Sequence, residues 1–202
     1  MTVELGRHDA VLIVDVQVDF LPGGNLGVRR GDEVVPALNR YVAAAGRKSL
    51  PVFASRDWHP QNHCSFRARG GPWPEHCVAG TQGAAFAPGL ELPRDAAVIS
   101  KATTPEADAY SAFQGTDLAQ RLRALGVKRL LVGGLATDYC VLNTVLDARK
   151  EGFEVLLLAD AIRAVDVKPG DGERAEREMR SAGAVQIRLE DLPAWTFSPR
   201  RS

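Results

Sequence analysis

The sequence predicts an α/β protein, with helices on both faces of a doubly wound, six-stranded, mostly parallel sheet in a three-layer α/β/α arrangement. Short runs of β-forming residues alternate along the chain with amphipathic helical segments, which is typical of such sheets. The first run, Ala10 to Val16, is almost continuously apolar, as in a strand buried on both faces. The 202 residues suffice for one good hydrophobic core but are too few for two comfortable domains, so we predict one domain over 1–202.

The elements can be placed in order along the chain. After the first strand, Asp32 is positioned to cap a helix that reaches about Ala45 and stops at Gly46. A later helix is expected to stop at Gly126 for the same reason. The remaining strands are predicted at 51–55, 96–100, 129–134, 154–159 and 184–187, and the remaining helices at about 116–125, 138–150 and 172–182.

One long connection interrupts this alternation. From about residue 57 to residue 93 the chain has no clean period and is rich in Gly, Pro, His and aromatic residues. Connections of this length are usually functional or disordered, and this one has too many Trp, Phe and His residues for disorder. We therefore predict an ordered excursion that begins at the C-terminal end of strand two.

The excursion contains every histidine of the chain except His8. Asp57 and His59 lie two residues apart, and the more distant His76 can complete a set of three ligands. Carboxylate and imidazole groups together suit a divalent transition metal. We predict a metal site formed by these three residues, with open positions for water. His63 is either a fourth ligand or an anchor for the loop, and we favour the anchor.

Three reactive side chains are expected at the C-terminal ends of strands, where doubly wound sheets bind their ligands. Asp15 lies near the end of strand one, Lys101 follows strand three, and Cys140 lies past strand four at the start of a helix. The helix N-terminus and a nearby lysine would favour the Cys140 thiolate. Asp15 can accept the thiol proton and later return it to a leaving group. The sequence thus predicts a nucleophilic cysteine site without a histidine.

Each of these residues also has a purely structural interpretation. A cysteine in an apolar stretch is more often core filler than nucleophile, an aspartate can cap a loop, and a lysine can be a solvated strand end. Histidine-rich loops can be polar surface. Cys64 and Cys77 each adjoin a histidine, which leaves open a mixed Cys/His zinc site, although paired cysteine spacing is absent. The common placement at one edge of the sheet favours the functional interpretation.

The composition limits which classes of partner and which cellular compartment are expected. Lys plus Arg and Asp plus Glu both number 25, so no global charge attracts nucleic acid or an anionic membrane. The apolar runs are far shorter than the ~20 residues of a membrane span. The first residues lack a secretion signal, and three cysteines without a CxxC pair argue against disulfides. We expect a cytoplasmic enzyme with a small-molecule substrate, and the exposed charges of the last helix neither require nor exclude a homo-oligomer.

Several motifs occur in order between about residue 10 and residue 187, together with Lys101. They are Asp15-Val16-Gln17-Val18-Asp19-Phe20, Asp57-Trp58-His59-Pro60, Trp73-Pro74-Glu75-His76-Cys77-Val78, Ala109-Tyr110-Ser111-Ala112-Phe113 and Gly134-Leu135-Ala136-Thr137-Asp138-Tyr139-Cys140-Val141. In combination they resemble the nicotinamidases, or pyrazinamidases, of the isochorismatase-like cysteine hydrolase superfamily. The resemblance implies the isochorismatase-like hydrolase fold. It also implies hydrolysis of nicotinamide to nicotinate and ammonia through a cysteine thioester, for NAD salvage, with pyrazinamide also accepted.

The resemblance assigns roles to the matching positions. It implies that Asp15 is the general base and acid, Lys101 an electrostatic support and Cys140 the nucleophile. Asp57, His59 and His76 match the ligands of one divalent metal ion, zinc in the first place, with iron or manganese as alternatives. Four residues match the substrate pocket: Phe20, Trp73, Tyr110 and Ala136.

The resemblance also implies an oxyanion hole formed by the backbone N–H groups of Ala136 and Cys140, with a cis peptide bond between Leu135 and Ala136. Tyr139 is expected to lie away from the substrate. Three alternatives remain at this point. An amidase of carbamoyl compounds would not need the metal loop, an isochorismatase would lack Cys140, and a non-catalytic binding module would have lost one of the three reactive residues.

Overall fold

All six predicted strands and all four predicted helices are present in the computed structural model, which describes residues 2–193. Residue 1 and residues 194–202 of the predicted 1–202 domain lie outside the described part. The strands are β1 (Asp9–Val14), β2 (Val52–Asp57), β3 (Ala97–Lys101), β4 (Arg129–Leu135), β5 (Glu154–Arg163) and β6 (Val185–Ile187). The helices are α1 (Val34–Arg47), α2 (Leu118–Ala124), α3 (Leu142–Lys150) and α4 (Asp171–Ser181).

The strands form one sheet in the order β3-β2-β1-β4-β5-β6, and every neighbouring pair is parallel. The sheet was predicted to be mostly parallel, and it is parallel throughout. The chain winds outward from β1 to β3, then returns to the other side of β1 with β4. This change of direction between β1 and β4 is the switch point at which ligands bind in doubly wound sheets.

Alternating strand residues face two separate hydrophobic clusters, which confirms the three layers. In β1, Val11 and Ile13 belong to the cluster that contains Leu38 of α1, whereas Leu12 and Val14 belong to the other. The second cluster includes residues of the other three helices: Leu118, Leu122, Val145, Ala148 and Met179. Because successive strand side chains point to opposite faces, β1 needs apolar residues at every position, as its sequence has.

Several element boundaries differ from the prediction. Strand β1 ends at Val14 because Asp15 has a φ of 47°, outside the extended region. A short 3₁₀ turn, Gly31–Glu33, precedes α1, so Asp32 does not cap the helix, and α1 continues past Gly46 to Arg47. The second predicted glycine stop is correct within two residues, since α2 ends at Ala124. Among the described residues, no helix has both the length and the apolar character that a membrane span requires.

Strand β5 is longer than predicted and α3 starts later. A register shift in β4, between Val132 and Gly134, lets the second half of β5 pair with the end of β4, so β5 continues to Arg163. The helix predicted from about residue 138 begins instead as a π-helical turn, Thr137–Val141, and α3 follows it. Single π turns inserted into helices occur frequently at functional sites.

The long connection between β2 and β3 is folded onto the sheet, as predicted. It carries a 3₁₀ turn, Arg67–Arg69, and isolated bridges pair His59 with Val78 and Phe86 with Gln17. Three of its buried residues join the cluster under α1: Cys77, Ala84 and Ala87. The excursion therefore covers the same face of the sheet as α1 and holds its histidines beside the switch point.

Candidate active site

Four ionisable side chains meet at the C-terminal ends of the central strands. Asp15 follows β1, Asp57 ends β2, Lys101 ends β3, and Cys140 lies in the turn after β4. Asp57 and Lys101 are direct partners in the register of β2 and β3. All four are buried. Parallel strands end at the same edge of the sheet, and this places residues from distant parts of the sequence together.

Lys101 is the centre of this group. Its Nζ lies 2.9 Å from Oδ2 of Asp15 and 2.5 Å from Oδ1 of Asp57, and it contacts Sγ of Cys140 at 3.6 Å. The same ammonium donates a hydrogen bond of 2.9 Å to the carbonyl of Ala109. Ser55 donates to Oδ1 of Asp15 at 2.6 Å, which leaves Oδ2 facing the lysine. The structure thus brings together Asp15, Lys101 and Cys140 as predicted.

The protonation states follow from burial and from these contacts. Burial by itself would lower the pKa of Lys101, but the two carboxylates outweigh it and raise that pKa well above its ordinary value. Burial raises the pKa of Asp15, although Lys101 and the Ser55 hydroxyl oppose the shift. Burial likewise raises the pKa of the Cys140 thiol. Lys101 lowers this pKa, whereas the carboxylates of Asp15 and Asp57 raise it further.

The prediction of a favoured Cys140 thiolate is therefore wrong for the resting site. A helix N-terminus and one lysine do not outweigh complete burial beside two negative charges. A raised pKa favours the protonated thiol, so a neighbouring base is required before sulfur can act as a nucleophile. Asp15 is adjacent to the same ammonium and has a raised pKa, which suits a group that takes up and returns a proton.

The segment between β4 and α3 positions Cys140. The peptide bond between Leu135 and Ala136 is cis, as the resemblance implied. The carbonyl of Ala136 then accepts hydrogen bonds from the N–H groups of Tyr139, at 3.1 Å, and Val141, at 3.0 Å. Both Ala136 and Cys140 line an apolar pocket at this edge, beside Asp57 and His59.

Asp57, His59 and His76 lie together as predicted, and their nitrogen and oxygen atoms fit a metal ion. One ligand atom from each lies within 4.8 Å of the others. Nδ1 of His59 is 3.2 Å from the carbonyl of Ala102, and Nδ1 of His76 is 2.8 Å from that of Pro74. Each Nδ1–H therefore donates to a backbone carbonyl, which directs the Nε2 lone pair toward the proposed ion.

Nε2 of His59 gives a second indication of a metal site. It is buried, lies 3.5 Å from Oδ2 of Asp57, and has no hydrogen-bond partner. A buried nitrogen without a partner is costly unless an ion or a water satisfies it. A second trio, Asp15, Asp57 and Cys140, also has its ligand atoms within 4.8 Å of one another. Nζ of Lys101 already occupies the space among these three residues, so they do not form a cation site.

His63 is an anchor and not a ligand. Its Nδ1 accepts from the Ser65 hydroxyl at 2.8 Å, and its Nε2–H donates to the carbonyl of Ala107 at 3.2 Å. With both ring nitrogens engaged, no lone pair remains for a metal. The ring stacks on His59 with 4.1 Å between centroids, which orients that imidazole. Cys64 and Cys77 belong to no group of potential ligands among the described residues, so the mixed Cys/His site is not supported.

The pocket beside these groups has mostly aromatic walls. The four residues predicted to bind substrate all line it: Phe20, Trp73, Tyr110 and Ala136. Nε1 of Trp73 donates to the Tyr110 hydroxyl at 2.9 Å, which fixes these two rings relative to each other. Tyr139 also lines the pocket, with its ring 5.1 Å from that of Trp73, so the expectation that it lies away from the substrate is wrong. Tyr139 lies in the π turn, and sequence periodicity does not reveal such a turn.

Sequence reasoning also missed three polar residues that organise the site. Gln17 exchanges two 2.8 Å hydrogen bonds with the backbone of Asp57, and Ser55 holds Asp15. Asp138 accepts hydrogen bonds from the backbone N–H groups of Val165, at 2.9 Å, and of the next residue. It therefore holds the segment that carries Val165, another lining residue of the pocket. A polar residue inside an apolar strand run, such as Ser55, is the kind of signal that could have been followed.

Comparison with known proteins agrees with this geometry. Residues 9–191 match the model of the isochorismatase domain. The nicotinamidase of Escherichia coli K12 is 40% identical over 203 residues, which covers 90% of this chain and 95% of that protein. The crystal structure of the pyrazinamidase of Pyrococcus horikoshii in complex with zinc is 52% identical, with a TM-score of 0.87, and covers 90% of this chain and 99% of that one. The structure of PnC1 from L. infantum in complex with nicotinate is 40% identical, with a TM-score of 0.88, and covers 96% and 99%.

Proposed function

Because this chain belongs to the isochorismatase family, we propose that it hydrolyses nicotinamide to nicotinate and ammonia, and that it also accepts pyrazinamide. The observation that carries the proposal is the buried contact of Lys101 with both Asp15 and Cys140, beside an aromatic pocket. Relatives named as nicotinamidases and pyrazinamidases support the choice of substrate. We place the reaction in NAD salvage and the enzyme in the cytoplasm, whose reducing environment suits the Cys140 thiol. We further propose that residues 1–202 form the single domain that performs it.

The first step of the proposed mechanism forms a thioester. Oδ2 of Asp15 takes the proton of the Cys140 thiol, and Sγ attacks the carboxamide carbon. The carbonyl oxygen becomes an oxyanion, and the backbone N–H groups of Ala136 and Cys140 stabilise it. Fixed donors of this kind contribute about 3 kcal/mol each at the transition state. The C–N bond then breaks, and Asp15 gives its proton to the departing ammonia.

The second step releases the product. Asp15, ionised again, takes a proton from a water molecule, and the resulting hydroxide attacks the thioester carbon. The C–S bond breaks, the thiolate regains the proton from Asp15, and the carboxylic acid product loses its proton to solvent and leaves as its anion. Lys101 keeps its positive charge throughout and stabilises the alternating negative charges of Asp15 and the sulfur.

We propose that Asp57, His59 and His76 hold one divalent ion, zinc in the first place, with iron or manganese as alternatives. The buried, unpartnered Nε2 of His59 supports this assignment. When bound, the ion supplies a Lewis acid that can coordinate a pyridine nitrogen and water molecules. The carbonyls of Ala102 and Pro74 hold the two imidazoles in the orientation this requires.

Ammonia release from nicotinamide by the purified protein tests the function, measured before and after chelation with the metal content determined on the same sample. We expect release that is lost with the metal and regained when zinc is restored. Release that survives complete metal removal would leave the cysteine mechanism standing and remove the metal from it. A folded, metal-loaded protein that releases no ammonia would contradict the proposed function.

Cys140→Ala tests the nucleophile, with Cys64→Ala as the matched control. Cys64 is partly exposed and lies outside the pocket, so its loss removes a thiol without touching the site. We expect Cys140→Ala to lose turnover by at least about 10⁴-fold while the Cys64→Ala variant keeps it. Intact-mass measurement during turnover should detect an acyl adduct in every protein except Cys140→Ala. An adduct or appreciable turnover in that variant would overturn the assignment.

A further inference from the structure

We propose that Tyr139 sets the size limit of the substrate pocket, because its ring separates the pocket from a second groove on the surface. By this wall the enzyme selects unsubstituted pyridine carboxamides over those that carry a neutral ring substituent. This inference rests on the proposed function and deepens it, since it assigns specificity to a residue outside the reacting groups.

Tyr139 is shared by two cavities. On one side it lines the aromatic pocket next to Cys140. On the other side it lines a groove that runs along the first turns of α4. The other residues of this groove are Asp138, Leu142, Asp171, Arg174, Ala175 and Glu178. Among the described residues, no other side chain lines both of these cavities, so the tyrosine is the partition between them.

The ring of Tyr139 is held from several directions. Its centroid lies 5.1 Å from Trp73, at an interplanar angle of 82°, and 5.6 Å from Tyr110. Those two rings are themselves joined by a hydrogen bond of 2.9 Å. On the backbone, its N–H donates to Ala136 and its carbonyl accepts from Asn143 at 2.8 Å. A ring packed edge-to-face against one neighbour and fixed at its main chain acts as a rigid wall.

The position of this wall determines which substrates it excludes. Tyr139 directly precedes Cys140, so a substrate whose carboxamide reaches the sulfur must place its ring near Tyr139. A substituent that points toward the wall would overlap the phenol ring, since closely packed side chains move little to make room. Removing the ring would open a path into the groove. The groove carries three carboxylates and one guanidinium, so neutral substituents are suitable probes because they avoid strong charge effects.

The experiment compares nicotinamide with a set of ethylnicotinamides that carry the ethyl group on each free ring carbon in turn. For each variant the readout is the ratio of kcat/KM for each ethylated compound to that for nicotinamide. We expect Tyr139→Ala to raise this ratio by at least about tenfold for one or more of the compounds, as is typical when space for a small alkyl group is created. Tyr139→Phe, which restores the ring, should return the ratio to that of the parent protein.

Leu142→Ala is the matched control, because Leu142 lines the groove but not the pocket. It enlarges the groove without opening the partition, so the ratio should stay at the parent value. An unchanged ratio in Tyr139→Ala for all the compounds would overturn the inference, and so would an equal increase in Leu142→Ala.

A binding measurement separates this inference from the proposed function. Calorimetric titration of the same compounds into metal-loaded Cys140→Ala, with and without Tyr139→Ala, gives the ratio of affinities in the absence of turnover. If the parent protein releases no ammonia from nicotinamide, the proposed function fails, and the affinity ratio still decides whether Tyr139 limits size. A tenfold gain supports the inference, and no gain refutes it.

Discussion

Asp57 contacts two chemical groups at once, and this is the central feature of the site at the scale of single residues. Its Oδ1 accepts from Lys101 at 2.5 Å, while its Oδ2 faces Nε2 of His59 at 3.5 Å. The sequence suggested a metal loop and a separate cysteine site. In the structure one carboxylate lies in both groups, so the charge that contacts Lys101 also belongs to the proposed set of metal ligands.

Ser55 contributes to the pKa of Asp15, alongside burial, Lys101 and Asp57. Its hydroxyl bonds to the charged form of the carboxylate and so lowers the pKa of Asp15, against the upward effect of burial. Asp15 must be ionised to accept the thiol proton. We therefore expect Ser55→Ala to raise this pKa further and move the acidic limb of kcat/KM to higher pH by about one unit.

The control is Ser100→Ala on the neighbouring strand, since Ser100 pairs with Arg56 and does not touch Asp15. Its acidic limb should coincide with that of the parent protein. If Ser55→Ala also leaves the limb in place, Asp15 is not the group that titrates there.

Two of the three buried histidines, His76 and His63, give a matched pair for testing the metal site. His76→Ala removes a proposed ligand, and we expect the zinc affinity to fall by at least about 100-fold. In His63→Ala the proposed ligand set is complete, and the variant loses the stacking on His59 and the hydrogen bonds to Ser65 and Ala107, so affinity should fall by about tenfold at most. Competition against a chromophoric chelator, corrected for the folded fraction, measures both values. Equal losses in the two variants would contradict the assigned ligand set.

At the scale of elements, the close approach of β1 and β4 is what brings Asp15 to Cys140. Gly134 has a φ of 131°, and a Cβ at this position would overlap the carbonyl oxygen of Val14. This glycine is part of the β4 motif in the sequence, but the need for it becomes evident only when its neighbour on β1 is known. The π turn that follows it was likewise not evident in the sequence, which predicted a regular helix from about residue 138.

We expect Gly134→Ala to destabilise the fold by more than about 3 kcal/mol, because both the backbone conformation and the contact with β1 oppose a side chain. Gly152→Ala is the control. Gly152 also has a positive φ, 88°, but a Cβ there meets no atom within 4 Å, so the cost should be about 1 kcal/mol. Urea unfolding gives both free energies. A similar loss in the two variants would show that backbone conformation alone matters.

For the whole molecule, the proposed metal site connects the long excursion to the sheet. Asp57 ends β2, whereas His59 and His76 lie within the excursion, which covers the α1 face. An ion that binds all three in the native state alone stabilises that state by about 2.7 kcal/mol when its concentration is 100 times Kd. For a domain of this size that energy corresponds to a change in Tm of about 5–10 °C.

Calorimetric scans with and without a chelator check this coupling. We expect chelation to lower Tm by that amount in the parent protein and to have almost no effect in His76→Ala. If chelation leaves the Tm of the parent protein unchanged, the excursion is held by its apolar contacts alone.

The sequence by itself determined the strand and helix alternation and the three layers, and it supplied the candidates for the residues that carry chemistry, because apolar periodicity and residue type are local properties. Asp15, Lys101 and Cys140 could be chosen from their positions at strand ends. Only the tertiary structure decided that Asp57 contacts Lys101, that Tyr139 lines the pocket and that burial raises the pKa of the Cys140 thiol. These depend on strand order, on a π turn and on the burial of charges contributed by residues far apart in the chain. The contacts between these residues arise from packing, and a pattern along the sequence does not contain them.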